Sequence, residues 1–178
     1  GQWQPYCWGK LMNNQVLLIA TFDTKEEEAS FLKKRIEARG FSVVTMDAGI
    51  LAPPHVPVDI DQEQVALRGG VRLQEIVASG DKGRCILNMM QGARTICKEL
   101  YDQGRIRGVI GIGGAQGTEI GCSAMRSLPV GVPRLMVSTV ASGRATFGPF
   151  VGTKDITMMH SVADMQGLNF VTKRILDN

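Results

Sequence analysis

The apolar positions of this chain fall into short unbroken runs, separated by longer stretches in which they recur at helical intervals. Residues 16–21 (VLLIAT) form the first run, and an unbroken apolar run of this length predicts a strand buried on both faces. After a turn at Phe22-Asp23-Thr24-Lys25, residues 26–39 place Ala29, Phe31, Leu32 and Ile36 at roughly helical spacing. Thr24 is the predicted N-cap, with Glu27 three residues on to complete a capping box. Gly40 is the predicted stop. Residues 41–46 (FSVVTM) give the second strand, ending at Asp47-Ala48-Gly49. A strand, a helix and a strand in this order imply parallel pairing through a right-handed crossover.

The pattern then repeats with variations. Residues 53–62 hold three prolines and predict an extended loop, and residues 64–79 and 82–104 are largely helical, interrupted at Gly69-Gly70 and Gly80. A third strand is predicted over 107–112, a helix over 118–127, a fourth strand over 134–139, a weaker fifth over 155–160 and a closing helix over 168–176. Alternation of this kind predicts an α/β fold, a doubly wound, Rossmann-like and mostly parallel sheet in a single domain over residues 15–178.

Composition narrows the class. The chain has 178 residues, 21 of them Gly, and only 6% aromatics, so the core must be built mainly from Val, Ile, Leu, Met and Ala. The net charge of +3 is spread without a basic block, and no direct nucleic-acid partner is expected. Cys7, Cys85, Cys97 and Cys122 are scattered with no C-x-x-C, which suggests neither zinc nor disulfides and fits a reducing cytoplasm. No apolar run is long enough to span a membrane. Residues 1–14 lack the cationic start and apolar stretch of a signal peptide and read as a leader or loose terminus.

In doubly wound sheets, ligands bind beyond the carboxyl ends of the strands. This sequence places small, hydroxylated and glycine-rich loops there. Gly111-Ile-Gly113-Gly114-Ala-Gln-Gly117-Thr118 follows a strand and opens a helix, the setting in which backbone N–H groups cradle a phosphate. The spacing differs from the dinucleotide fingerprint and carries no P-loop lysine, and a turn that needs Gly only for tight packing is the competing reading. Ser138, Thr139, Ser142 and Gly143 offer a second anion loop. Thr21, Asp23, Thr24 and Lys25 line the first strand's side, and Asp47 and Gly49 are candidates to face a sugar. His55 and His160 have no adjacent triad pattern and read as incidental. Mg²⁺ would enter only as the companion of a nucleotide, since no carboxylate cluster marks a metal site.

Four segments carry a resemblance. T-F-D-T-K-E-E-E (21–28), V-I-G-I-G-G-A-Q-G-T (109–118), A-M-R-S-L-P-V-G-V-P-R-L-M-V-S-T (124–139) and D-I-T-M-M-H-S-V-A-D-M-Q-G-L-N (155–169) resemble the N-terminal domain of the family containing the tomato mosaic virus resistance protein. That resemblance implies an ATP-binding domain of Rossmann-like topology, followed in longer members by a barrel-like C-terminal domain, and a possible homodimer. It leaves two functions open: a regulatory, partner-coupling nucleotide module, or half of an enzyme acting on a nucleotide or phosphorylated metabolite. A dinucleotide-binding oxidoreductase domain is a weaker third reading.

Overall fold

The computed structural model describes residues 14–144 and 146–178; the predicted leader, apart from Asn14, and Cys7 lie outside them. Five strands, β1 (Gln15–Ala20), β2 (Ser42–Asp47), β3 (Gly108–Gly113), β4 (Arg134–Ser138) and β5 (Thr157–His160), form one sheet in the order β2-β1-β3-β4-β5. All four pairings are parallel, as the alternating sequence pattern requires.

The helices lie on both faces. α1 (Phe22–Glu37) and the last helix, α7 (Phe170–Asp177), cover one side, while α2 (Gln62–Gly69), α4 (Lys82–Asp102) and α5 (Ala115–Arg126) cover the other. The short helices α3 (Leu73–Ala78) and α6 (Gly148–Val151) complete the set. This division explains the unbroken apolar runs. In β1, Leu17 and Ile19 pack with Met89, Ile96 and Ile120 on the α4–α5 side, while Leu18 and Ala20 pack with Phe22, Ala29 and Leu32 on the α1 side. A strand segment packed on both faces reads as an unbroken apolar run, and a polar residue is accommodated only where it finds a partner.

Two differences from the sequence expectations have physical causes. The first helix starts at Phe22, four residues earlier than its periodicity suggests, and is kinked at Lys25 (φ −132°, ψ 26°). Phe22 is held there because its N–H donates to Asp47 Oδ1 at 3.0 Å, a bond across 25 residues that no local pattern contains. The Thr24–Glu27 capping box is accordingly not formed: Thr24 Oγ1 lies 3.1 Å from Thr21 Oγ1, and Glu27 accepts from Leu168 N instead. Helix α6 has four residues, too few to register as a period.

The edge strand β2 is shielded by the proline loop that follows it. Asp59 Oδ2 accepts from both Thr45 N and Thr45 Oγ1 at 2.8 Å, and Ile60 pairs with Met46. A covered edge cannot recruit a foreign strand.

Candidate functional site

The strand order reverses direction at β1. From β1 the chain crosses by α1 to β2 on one side, and from β3 it crosses by α5 to β4 on the other. Helices leaving neighbouring strands toward opposite faces open a crevice between their N-termini, and this switch point is where such folds hold ligands. A cleft of about 430 Å³ lies there.

Its walls come from three parts of the chain. Thr21, Asp23, Thr24 and Lys25 form the β1 side, and Gly114, Ala115, Gln116 and Gly117 form the β3 side. The third wall, with Ile50, Leu51, Val77, Gly80, Lys82 and Cys85, belongs to the long connection between β2 and β3. Leu51 is 73% exposed and Val77 44%, so this wall presents apolar surface directly to the opening.

The β3 side is polar in a different way. Gly114 is the N-cap of α5 and offers no side-chain cap. The first helical backbone bond is Thr118 N to Gly114 O at 2.9 Å. Among the described residues, no acceptor is found for the N–H groups of Ala115, Gln116 and Gly117. Unpaired first-turn donors at the positive end of a helix dipole attract an anion.

The glycines divide into two jobs. A Cβ on Gly113 would stand 2.7 Å from Gly117 Cα, so Gly113 lets β3 pass directly under the first turn of α5. It is buried behind the wall, whereas Gly114 and Gly117 line the cleft. Thr118 is likewise buried: its Oγ1 donates to Gly114 O at 2.6 Å and lies 2.6 Å from Ser138 Oγ. Ser138 Oγ also accepts from Val140 N at 3.2 Å. These hydroxyls tie the ends of β3 and β4 together. Thr139 adjoins Gly114 at the rim, its Oγ1 3.7 Å from where a Cβ on Gly114 would be. Ser142 and Gly143 do not line the cleft.

Asp47 is wholly buried and holds the site from beneath. Oδ1 accepts from Phe22 N at 3.0 Å and from Gly49 N at 2.8 Å, while Oδ2 has no partner. Neighbouring Gln62 directs its Nε2 to Ala52 O at 2.9 Å. Burial, opposed by the two backbone donors and assisted by the nearby Asp23 carboxylate, raises the Asp47 pKa to about 6. Gly49 faces Asp23, whose Oδ2 accepts from Ile50 N and Leu51 N at 3.0 Å each.

The acidic run after Asp23 is spent on other loops. Glu26 Oε2 accepts from His55 N at 2.8 Å, and Glu28 Oε1 from Gly167 N at 2.8 Å. His55 sits beside Glu26, and His160 Nδ1 accepts from Val162 N; neither histidine lines the cleft. Among the described residues no group of three or more His, Cys, Asp or Glu side chains is placed to hold a metal. The cysteines Cys85, Cys97 and Cys122 are free and buried, and burial pushes the Cys97 thiol up to about 12. No described helix is long and apolar enough to cross a membrane.

Sequence reasoning missed the third wall and Ala115 inside the glycine loop. Lys82 carried one usable signal: a cation opening a long helix, where an acid is the favoured residue.

Comparison with known proteins places the chain. Residues 14–178 match the N-terminal domain of the uncharacterised protein family UPF0261. A UPF0261 protein of Clostridium tetani (strain Massachusetts / E88) is 40% identical over 167 residues, covering 94% of this chain and 41% of its own length. A UPF0261 protein of Rhizobium meliloti (strain 1021) is 40% identical over 164 residues, covering 92% of this chain and 40% of its own. The ToMV resistance protein Tm-1(GCR237) of Solanum lycopersicum is 40% identical over 97 residues, 54% of this chain and 13% of its own length. The likeness to the tomato protein is thus partial, while the UPF0261 match spans every described element. The chain covers about two-fifths of the length of the bacterial relatives, which continue well beyond the matched region. It belongs to the uncharacterised protein family UPF0261, whose N-terminal domain it spans.

Proposed function

We propose that this domain binds ATP in the cleft between β1 and β3, and that nucleotide occupancy regulates the longer protein or its affinity for a partner. The observation that carries the reading is the unpaired first turn of α5: three N–H donors open to a cleft bordered by Lys25 and Lys82. Phosphates would sit on that turn, with the Thr21 and Thr24 hydroxyls on the facing side. The base would lie against Leu51 and Val77. Mg²⁺ would arrive with the nucleotide, held chiefly by its phosphates.

A regulatory role is favoured over catalysis for this domain because neither histidine lines the cleft and its carboxylate, Asp23, is occupied by two backbone donors. The free, buried cysteines support a cytoplasmic setting. The homodimer and the coupling to a C-terminal domain are carried over from the family resemblance.

The test is calorimetric titration with ATP, ADP and NAD, with and without Mg²⁺, on the natural chain and on Gln116→Glu. This substitution preserves shape and places an acid in the first turn, where it stabilises a helix but repels phosphate. Micromolar ATP binding, lost in the folded variant, is expected. Absence of binding by every nucleotide would return the glycines to tight-turn residues, and NAD binding without ATP binding would favour the oxidoreductase reading.

A further inference from the structure

We propose that Lys82 reads the outer phosphates of the bound nucleotide, so that the cleft selects a triphosphate over a monophosphate. The inference rests on the nucleotide reading and assigns a specificity role to a residue on the third wall.

The first observation is a pair of unneutralised cations in one cleft. Lys33 and Lys98 each pair with a carboxylate one helical turn away. Lys25 and Lys82, both lining the cleft, have no carboxylate within 4.0 Å among the described residues, and the contact found for Lys25 Nζ is Thr24 O at 3.5 Å. They approach from different walls, Lys25 from α1 and Lys82 from the connection that follows β2.

The second observation is the cost of where Lys82 stands. It is the first residue of the 21-residue helix α4, and the first turn contains no acid. A cation at the positive end of a helix is unfavourable. Asp81, the N-cap, is committed to Arg84 N at 3.0 Å. The N-cap carboxylate of Asp81 makes no ion pair with Lys82, and an anion in the cleft would give the lysine the partner it lacks.

The third observation is that the wall is fixed. The Cys85 thiol, one turn into α4, donates to Ile76 O at 3.2 Å and links α4 to α3. Gly80, in the left-handed region at φ 68°, turns the chain between the two helices. Lys82 therefore starts from a defined place beside the cleft. The inner phosphate would take the α5 amides, which suffices for a monophosphate. A longer phosphate chain would continue toward Lys82.

The experiment measures dissociation constants for ATP, ADP, AMP and tripolyphosphate on the natural chain, Lys82→Ala and Lys82→Arg. Removing a cation from the start of α4 does not weaken that helix, so lost affinity cannot be ascribed to unfolding. Lys82→Ala is expected to weaken ATP and tripolyphosphate about tenfold, the worth of one charge-assisted contact, and AMP less than about twofold. Lys82→Arg is expected to retain most of the discrimination. Equal weakening of ATP and AMP, or no change in either, would overturn this assignment while leaving nucleotide binding intact. A natural chain that binds none of these compounds would overturn both proposals.

Discussion

The carboxylate of Asp23 occupies the space that a side chain on residue 49 would need: a Cβ on Gly49 would stand 2.6 Å from Asp23 Cγ and Oδ2. The same carboxylate accepts from Ile50 N and Leu51 N at 3.0 Å. Gly49 is therefore required by close approach, and through it α1 fixes the apolar wall of the cleft. Gly49→Ala is expected to displace Asp23 and release that loop, at about 1–3 kcal/mol of stability. Urea denaturation measures the loss, and a variant as stable as the natural chain would contradict the close approach.

The glycine loop can be dissected by two substitutions one residue apart. Gly113→Ala would drive a methyl group into the backbone of Gly117 at 2.7 Å, and should cost about 3 kcal/mol. Gly114→Ala meets its nearest atom, Thr139 Oγ1, at 3.7 Å and has a negative φ of −80°. As an N-cap, where Ala is a poorer residue than Gly, it should cost no more than about 1 kcal/mol. Thermal denaturation of the two variants separates the packing glycine from the one that lines the site.

Asp47 predicts a pH dependence. Its pKa is raised from 3.8 to about 6 by burial, so between these values the folded chain holds a proton that the unfolded chain has released. The stability it contributes is fully present below about pH 4 and is lost as pH rises through about 6. A shift of this size corresponds to roughly 2–3 kcal/mol. In Asp47→Asn that loss should disappear, since an amide oxygen can still accept from Phe22 N and Gly49 N. The natural chain should therefore lose stability relative to Asp47→Asn between pH 4 and pH 7; parallel stability profiles would contradict it.

Arg134 supports the far end of α5. Its side chain is buried and donates to Val132 O at 2.9 Å, Met125 O at 3.1 Å and also to Pro129 O, with Asp155 Oδ1 at 2.8 Å. Met125 lies in the last turn of α5, where carbonyls lack helical partners. Arg134→Met would leave Val132 O without its donor, while Met125 O keeps Leu128 N at 3.3 Å and Pro129 O keeps Val132 N at 3.5 Å, and should cost about 2 kcal/mol. Asp155→Asn should cost less, because Asp155 faces solvent and its carboxyl pKa is held down first by the N–H of Gly131.

Much of the fold was legible because both faces of its strands are buried. Leu17-Leu18-Ile19 and Val109-Ile110 could not be read as amphipathic elements, and β1, β3 and β4 fell within a residue or two of their expected limits. The start of α1 was not legible, since Phe22 is fixed by Asp47, a residue distant in sequence. For the same reason Asp47 read as a sugar ligand, whereas it is buried beneath the site and does not line the cleft. The glycine loop and the T-F-D-T-K segment were legible as chemistry and meet in one cleft. Lys82, Leu51 and Val77 were not, because only the crossover from β2 to β3 carries them to that opening.

The central claim is tested most directly by following backbone amide shifts while ATP is added to the isotopically labelled chain. Saturable shifts centred on Ala115, Gln116 and Gly117, with smaller ones at Lys25, are the predicted result. Amides of the α5 first turn that remain unmoved at millimolar ATP, or shifts centred elsewhere in the domain, would contradict it.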